Sequence, residues 1–203
     1  MTTDILTAAE AASVLSRGAT DTSKGSLLAI AITAVTEKLE EVIGPVVYAT
    51  ITAELHDGGG NLIYLKQQPV ASITQVVEYD NTTASTLTAE SNTSKPTTGY
   101  YLNAVNGALI RRNANADVRY PVGRGNVSVT YVAGRFATQG SITNRYKLAA
   151  AWTLKNAWRA WEASVTQVGE YEVPQASFPT FSIPNAVKEL LADEWRAGSG
   201  IGD

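Results

Sequence analysis

The 203-residue chain has no cysteine, a single histidine and a single methionine. Without cysteine there are no disulfides and no thiolate metal sites. With one histidine, His56, no Ser-His-Asp set can be assembled. His56 precedes Asp57 and Gly58-Gly59-Gly60 with no second candidate ligand nearby, so it reads as a solvated loop residue rather than a ligand or base. Charge is sparse too: charged residues are 17% and the net charge is −3, which gives no global basic field for nucleic acid. No apolar run approaches the roughly 20 residues of a membrane span. The opening MTTDILTAAEAASVL carries an acid and no basic n-region, unlike a signal peptide, so a soluble cytosolic product is expected. Phosphate loops are missing: Gly58–Gly60 is not followed by Lys-Ser/Thr, and Gly123-Arg124-Gly125 lacks dinucleotide spacing. Nothing in the spacing of Asp117, Glu170 and Glu172 makes a carboxylate pair. The expectation is no catalytic residue, no cofactor, no metal and no enzyme. Asn81-Thr82-Thr83 and Asn126-Val127-Ser128 match the glycosylation sequon but are idle without a signal peptide.

What is present suits contact with protein. At 44% hydrophobic the chain can bury a core, and its length fits one domain or one domain with an insert. Ala, Thr, Ser, Val and Gly give a smooth surface. The charge is uneven: residues 1–60 hold eight acids and three bases. Residues 121–163 carry Arg124, Arg135, Arg145, Lys147, Lys155 and Arg159 against the one acid Glu162. Such runs commonly solvate helix faces.

The period of the apolar residues changes twice along the chain. Thr7-Ala8-Ala9-Glu10 has capping-box spacing and predicts a helix over about 8–15. Leu28, Ile32, Val35, Leu39 and Val42 share one face of a second helix, with Glu37, Lys38, Glu40 and Glu41 opposite and Gly44-Pro45 as its stop. The middle is β: Val46–Leu55, a turn at HDGGGN, LIYL, VASITQVVEY, then YYLNAVNGALIRR as a hairpin around Asn106-Gly107, and Asn126–Gly134. Residues 80–99, rich in Thr, Ser and Asn, read as a long loop or arm. Ser141 is the expected cap of a long helix whose Trp152, Trp158 and Trp161 read as core or interface anchors rather than a ligand platform. Three prolines then predict an extended arm, followed by a short helix over AVKELLADEW. The fold class is α+β: helices at both ends packed as a small bundle, a central β-sheet and hairpin region, and an extended C-terminal arm. The expected layout is a core over 1–172 (helices in 1–44, β in 45–134, long helix 141–165) and an arm over 173–203.

In this order the pieces resemble the head–tail connector, or adaptor (head-completion), proteins of long-tailed bacteriophages. Leu65 with Pro69-Val70 and Ile73 carries the resemblance, together with Val129-Thr130-Tyr131 and Gly134, and Ile183-Pro184-Asn185 with Leu190-Leu191. The long polar stretch 80–99 departs from it. The resemblance implies a structural virion neck protein, made in the host cytoplasm. It would form a ring, usually twelvefold, below the portal protein, extending the DNA channel and offering a platform to the next neck or tail protein. DNA would be passing cargo only, with no membrane partner. In related adaptors the C-terminal region reaches the portal. That implies a portal-binding arm made of Phe178, Phe181, Ile183, Pro184, Val187, Leu190, Leu191 and Trp195. Arg124, Arg135, Arg145 and Lys147 would line the channel or pair with a neighbour's acidic N-terminal segment. The second is preferred, because a channel that grips DNA resists its passage. A stopper or tail-terminator is the near alternative. A carbohydrate- or cell-surface-binding β module is the alternative of another class, and exposed aromatics on strands would mark it.

Overall fold

The computed structural model describes residues 3–16, 25–104, 106–166 and 182–194, with side chains of the long helix described as far as Arg159. The fold is α+β and forms two compact units, residues 1–47 with 138–203 and residues 48–137.

The first unit is helical: α1 (Ala8–Val14), α2 (Gly25–Ile43), α3 (Asn144–Thr166) and α4 (Asn185–Leu190). The capping box at α1 forms as its spacing predicts. The Glu10 amide donates to Thr7 Oγ1 (3.2 Å), and the Thr7 amide donates to Glu10 Oε2 (2.8 Å). On α2 the buried residues are Ile32, Val35, Thr36, Leu39, Val42 and Ile43, the helical stripe expected from spacings of three and four. Gly44 ends α2 at φ +83°, a conformation that costs a residue without Cβ little. Glu40 departs from its expected place on the solvent face. Its carboxylate is half-buried and accepts the Val46 amide at 2.9 Å, and burial raises its pKa above the ordinary range. Val46 is thereby held outside the first strand, which starts at Ala49. Ser141 does not cap α3. It closes a 3-10 turn over Gln139–Ser141, its hydroxyl donating to Thr138 O at 2.7 Å, and α3 starts three residues later.

The second unit is a single sheet of eight strands. These are β1 (Ala49–His56), β2 (Leu62–Tyr64), β3 (Val70–Asp80), β4 (Thr83–Ala89), β5 (Gly99–Asn103), β6 (Ala108–Asn113), β7 (Ala116–Asp117) and β8 (Val127–Ala133). The order is β1-β8-β3-β4-β5-β6-β2, with β7 on β6, and only β4–β5 is parallel. On β8, Val127, Val129, Tyr131 and Ala133 are buried and alternate with Ser128, Thr130 and Val132, the period of two that a half-buried strand imposes. Residues from both halves of the sheet share one core: Val76, Val129 and Tyr131 from one, Ile63, Tyr100 and Leu109 from the other. The sheet therefore folds over on itself.

The stretch 80–99 is not a free loop. Val76–Asp80 pairs with Thr83–Leu87 around Asn81, which takes φ +55°. Threonines at 83, 86 and 88 supply β-branched residues, and Leu87 is buried. The pattern was hidden because only one of these side chains reaches the core. The hairpin at 103–108 forms as predicted. Gly107 has φ +63°, and a Cβ there would lie 2.8 Å from Gln68 Nε2, which donates to Asn106 O at 2.9 Å. The chain around Pro69 is thus tied to this turn, and Pro69 O accepts the Gly134 amide at 2.9 Å.

One ion pair lies inside the sheet unit. Arg111 Nε and Nη2 donate to Glu78 Oε2 and Oε1 at 2.8 and 2.9 Å, and both side chains are 9% exposed. Removing one partner leaves a buried charge uncompensated, so Glu78→Ala is expected to cost about 3–5 kcal/mol in urea unfolding. The double variant Glu78→Leu with Arg111→Met should lose much less than the two single losses together.

Candidate functional site

The sequence-selected cations do not gather at one site. Lys147 Nζ donates to Glu10 Oε1 of its own chain at 2.6 Å. Arg145 Nε donates to Leu190 O at 2.8 Å, and its guanidinium pairs with Asp193, which raises its pKa. Two of the four residues expected to face a channel or a neighbour are therefore paired within the helical unit. Arg135 is half-buried, and Arg124 is exposed on the turn Gly123–Gly125.

The arm divides as well. Ile183, Val187 and Leu191 are buried, Pro184 and Leu190 half-buried, and Asn156 Nδ2 donates to Ser182 O at 3.2 Å. Tyr146 OH donates to Glu194. The short helix α4 thus packs on α3 of its own chain, because i, i+4, i+8 spacing puts Ile183, Val187 and Leu191 on one face. Phe178, Phe181 and Trp195 lie outside the described residues. Of the tryptophans, Trp158 is buried and Trp152 is 39% exposed, while the Trp161 side chain lies outside the described residues.

His56 is not the solvated loop residue expected. It ends β1 with Nε2 2.7 Å from Glu54 Oε1 and a side chain only 11% exposed. A bulge between Ile51 and Glu54, with Ala53 at φ +52°, brings Glu54 to this cluster. Glu54 also accepts the Lys66 amide (3.0 Å) and the Tyr131 hydroxyl (2.8 Å), and Tyr131 Oη accepts the Gln67 amide (3.0 Å). These bonds tie β1 to the chain before Pro69. Among the described residues no group of three or more His, Asp or Glu could hold a metal ion. Nor is any described helix long and apolar enough to cross a membrane.

The remaining features are surfaces. A groove of about 650 Å³ runs between α1 and α3, lined by Leu6, Ala9, Val14, Leu148 and Ala151 and rimmed by the Glu10–Lys147 pair. On the sheet unit, Leu109 and Arg111 are buried, so Ile110 faces outward, opposite Tyr101 on β5 and Leu62 on β2. Tyr64 and Tyr101 are 58% and 48% exposed there. The sequence reading weighs only the tryptophans, which it places on helices, and misses these strand tyrosines. The alternation of LIY and YYL was the available signal. Beside them Glu90 accepts from Lys95 and from Arg112 Nε (2.7 Å), which holds its pKa below the ordinary carboxylate range.

No family model matches this chain, and no curated protein is similar to it in sequence. Its fold is similar to that of a chain in a solved structure of the neck of an empty GTA particle, computed with C6 symmetry. The similarity covers 98% of this chain and 93% of that one, at 18% identity and a TM-score of 0.54. At this identity the likeness is one of fold.

Two expectations follow from the geometry of the helical unit. Leu191→Ala should lower its stability by about 2–5 kcal/mol, read from the denaturant midpoint, because Leu191 is core; a residue serving only a partner would leave that midpoint unchanged. The second concerns pH. Glu10 has a lowered pKa, chiefly from the Lys147 hydrogen bond and then the Thr7 amide. Its contribution is therefore complete above the ordinary glutamate value and is lost as pH falls through the lowered one. Glu40, raised by burial, acts with the opposite sign: its contribution is complete at low pH and is lost as pH rises. Lys147→Met should flatten the acid limb below the ordinary glutamate value by roughly 0.2–1 kcal/mol, the scale of an exposed pair. An unchanged limb would remove the pair as its cause.

Proposed function

We propose that this chain is a structural subunit of the neck of a phage-like particle. The observation that carries the reading is the fold likeness to a GTA neck chain over nearly the whole of both chains. The order of helices, sheet and helices in this chain, set beside the adaptor resemblance of its motifs, favours the adaptor position: a ring below the portal protein that continues the DNA channel and joins head to tail. In that setting the subunit works by contact and has no catalytic role. Its partners are copies of itself, the portal on one side and the next neck or tail protein on the other.

The portal contact is assigned to the C-terminal arm, through Phe178, Phe181 and Trp195 together with the half-buried Pro184 and Leu190. Ile183, Val187 and Leu191 serve instead to anchor that arm on α3. The tyrosine face of the β2–β6–β5 region suits a protein platform, since tyrosine is enriched at such contacts. The same face is the observation that keeps the carbohydrate-binding alternative in view.

Negative-stain electron microscopy of the purified chain, and of particles labelled through an added tag, tests the reading. Closed rings with a central opening, and label at the single tail-bearing vertex, are the expected result. Particles that carry label over the whole capsid or along the tail, or a chain that binds glycans and forms no rings, would overturn it.

A further inference from the structure

The helical unit carries two unlike surfaces that its described residues leave open. One is the apolar groove between α1 and α3, where Leu148 is 41% exposed beside Trp152 at 39%. The other is the outer face of α2. Ile30 is 65% exposed there and is flanked by Ala29, Thr33 and Ala34. That face turns away from the buried stripe Ile32–Val35–Leu39. Small neighbours leave Ile30 standing beside a shallow concavity of about 370 Å³, so another helix can approach this face closely. An isolated exposed isoleucine needs no explanation, but one beside a concavity and an unfilled apolar groove on the same unit do.

We infer that Ile30 and the outer face of α2 in one copy of this chain dock into the α1–α3 groove of the next copy. The inference rests on the ring reading proposed above and names the surfaces that would close such a ring. Charge selects the occupant. Beyond Ile30 the outer face of α2 carries the exposed acids Glu37 and Glu41, the latter accepting from Lys38 of the same helix at 2.8 Å. Beyond Leu148 and Trp152 the exposed side of α3 carries Lys155 and Arg159, at helical spacings of three and four. An acidic face therefore meets a basic one when two copies associate head to tail, and like faces repel. Because the two surfaces differ, the contact is heterologous, the kind that rotation closes into a ring. The arrangement also revises which cations meet a neighbour: Lys155 and Arg159 rather than Arg145 and Lys147, which are engaged inside the subunit.

Two surface substitutions test this, Ile30→Glu and Leu148→Glu, each checked by circular dichroism for an unchanged melting curve. Assembly is read by mass photometry and analytical ultracentrifugation of the full chain. The expected result is that wild type forms rings and each variant alone is monomeric. An equimolar mixture should form one-to-one dimers and nothing larger, because one groove and one Ile30 face remain intact between the two variants. If either variant alone still forms rings, the contact is overturned while the ring reading stands. If Ile30→Glu abolishes assembly and Leu148→Glu leaves it intact, the two surfaces do not meet and the contact is again overturned. A wild-type chain that stays monomeric at every concentration overturns the ring reading and this contact with it.

Discussion

The guanidinium of Arg111, buried against the carboxylate of Glu78, is the constraint around which the sheet unit is organised. Glu78 sits on β3 and Arg111 on β6, strands three places apart in the sheet order. A flat sheet would keep them apart. A sheet folded on itself brings them together, with Arg111 Nη1 also donating to Gly99 O at 3.3 Å and to Arg112 O. Two charges inside a core are tolerated only when each is paired and hydrogen-bonded. The apolar residues that surround them, Val76, Leu109 and Tyr120 among them, supply the burial. The pair fixes which residues of β3 and β6 face one another. A one-residue slip on either strand would send one charge to the surface and leave the other alone inside.

The helical unit solves a different problem with the same chemistry. Its sequence concentrates acids near the start and bases in the second half, and the structure uses part of that asymmetry internally. Glu10, already ordered by its capping box with Thr7, is held by Lys147; Asp193, just after α4, is held by Arg145. Each pair joins segments distant in sequence, and each is exposed enough to be worth little alone. Their role is to set orientation, while Leu39, Leu154, Val187 and Leu191 provide the burial.

What the described residues leave outside is a set of apolar and charged surfaces. Glu54 and Tyr131 are engaged in holding β1 to the segment before Pro69. Among the open apolar features are a groove, an exposed isoleucine and a tyrosine face. Contact surfaces of this kind are what the proposed neck role would use.

Much of the local structure was legible in the sequence, because it depends on neighbours a few residues away. The capping box at Thr7, the stripe on α2, the stop at Gly44, the hairpin at Asn106-Gly107 and the alternation of β8 all follow from local geometry and period. The β4 hairpin was not legible, since a strand with Leu87 as its one buried side chain shows no apolar alternation. The buried pair Glu78–Arg111 was invisible for another reason. Nothing local distinguishes a glutamate that will be buried from one that solvates a strand, and its partner lies 33 residues away. His56 reads as a loop residue because the expected strand ends one residue too early, at Leu55; as the last residue of β1 it shares a face with Glu54, two positions before it. The limit that hid the buried pair holds also for Ile183, Val187 and Leu191, whose apolar face could serve a partner or its own subunit equally well. Sequence alone determined most of the elements, through their local period and caps. Tertiary structure decided which charges are paired within the chain and which apolar side chains stay exposed, because burial and pairing are properties of residues brought together only by the fold.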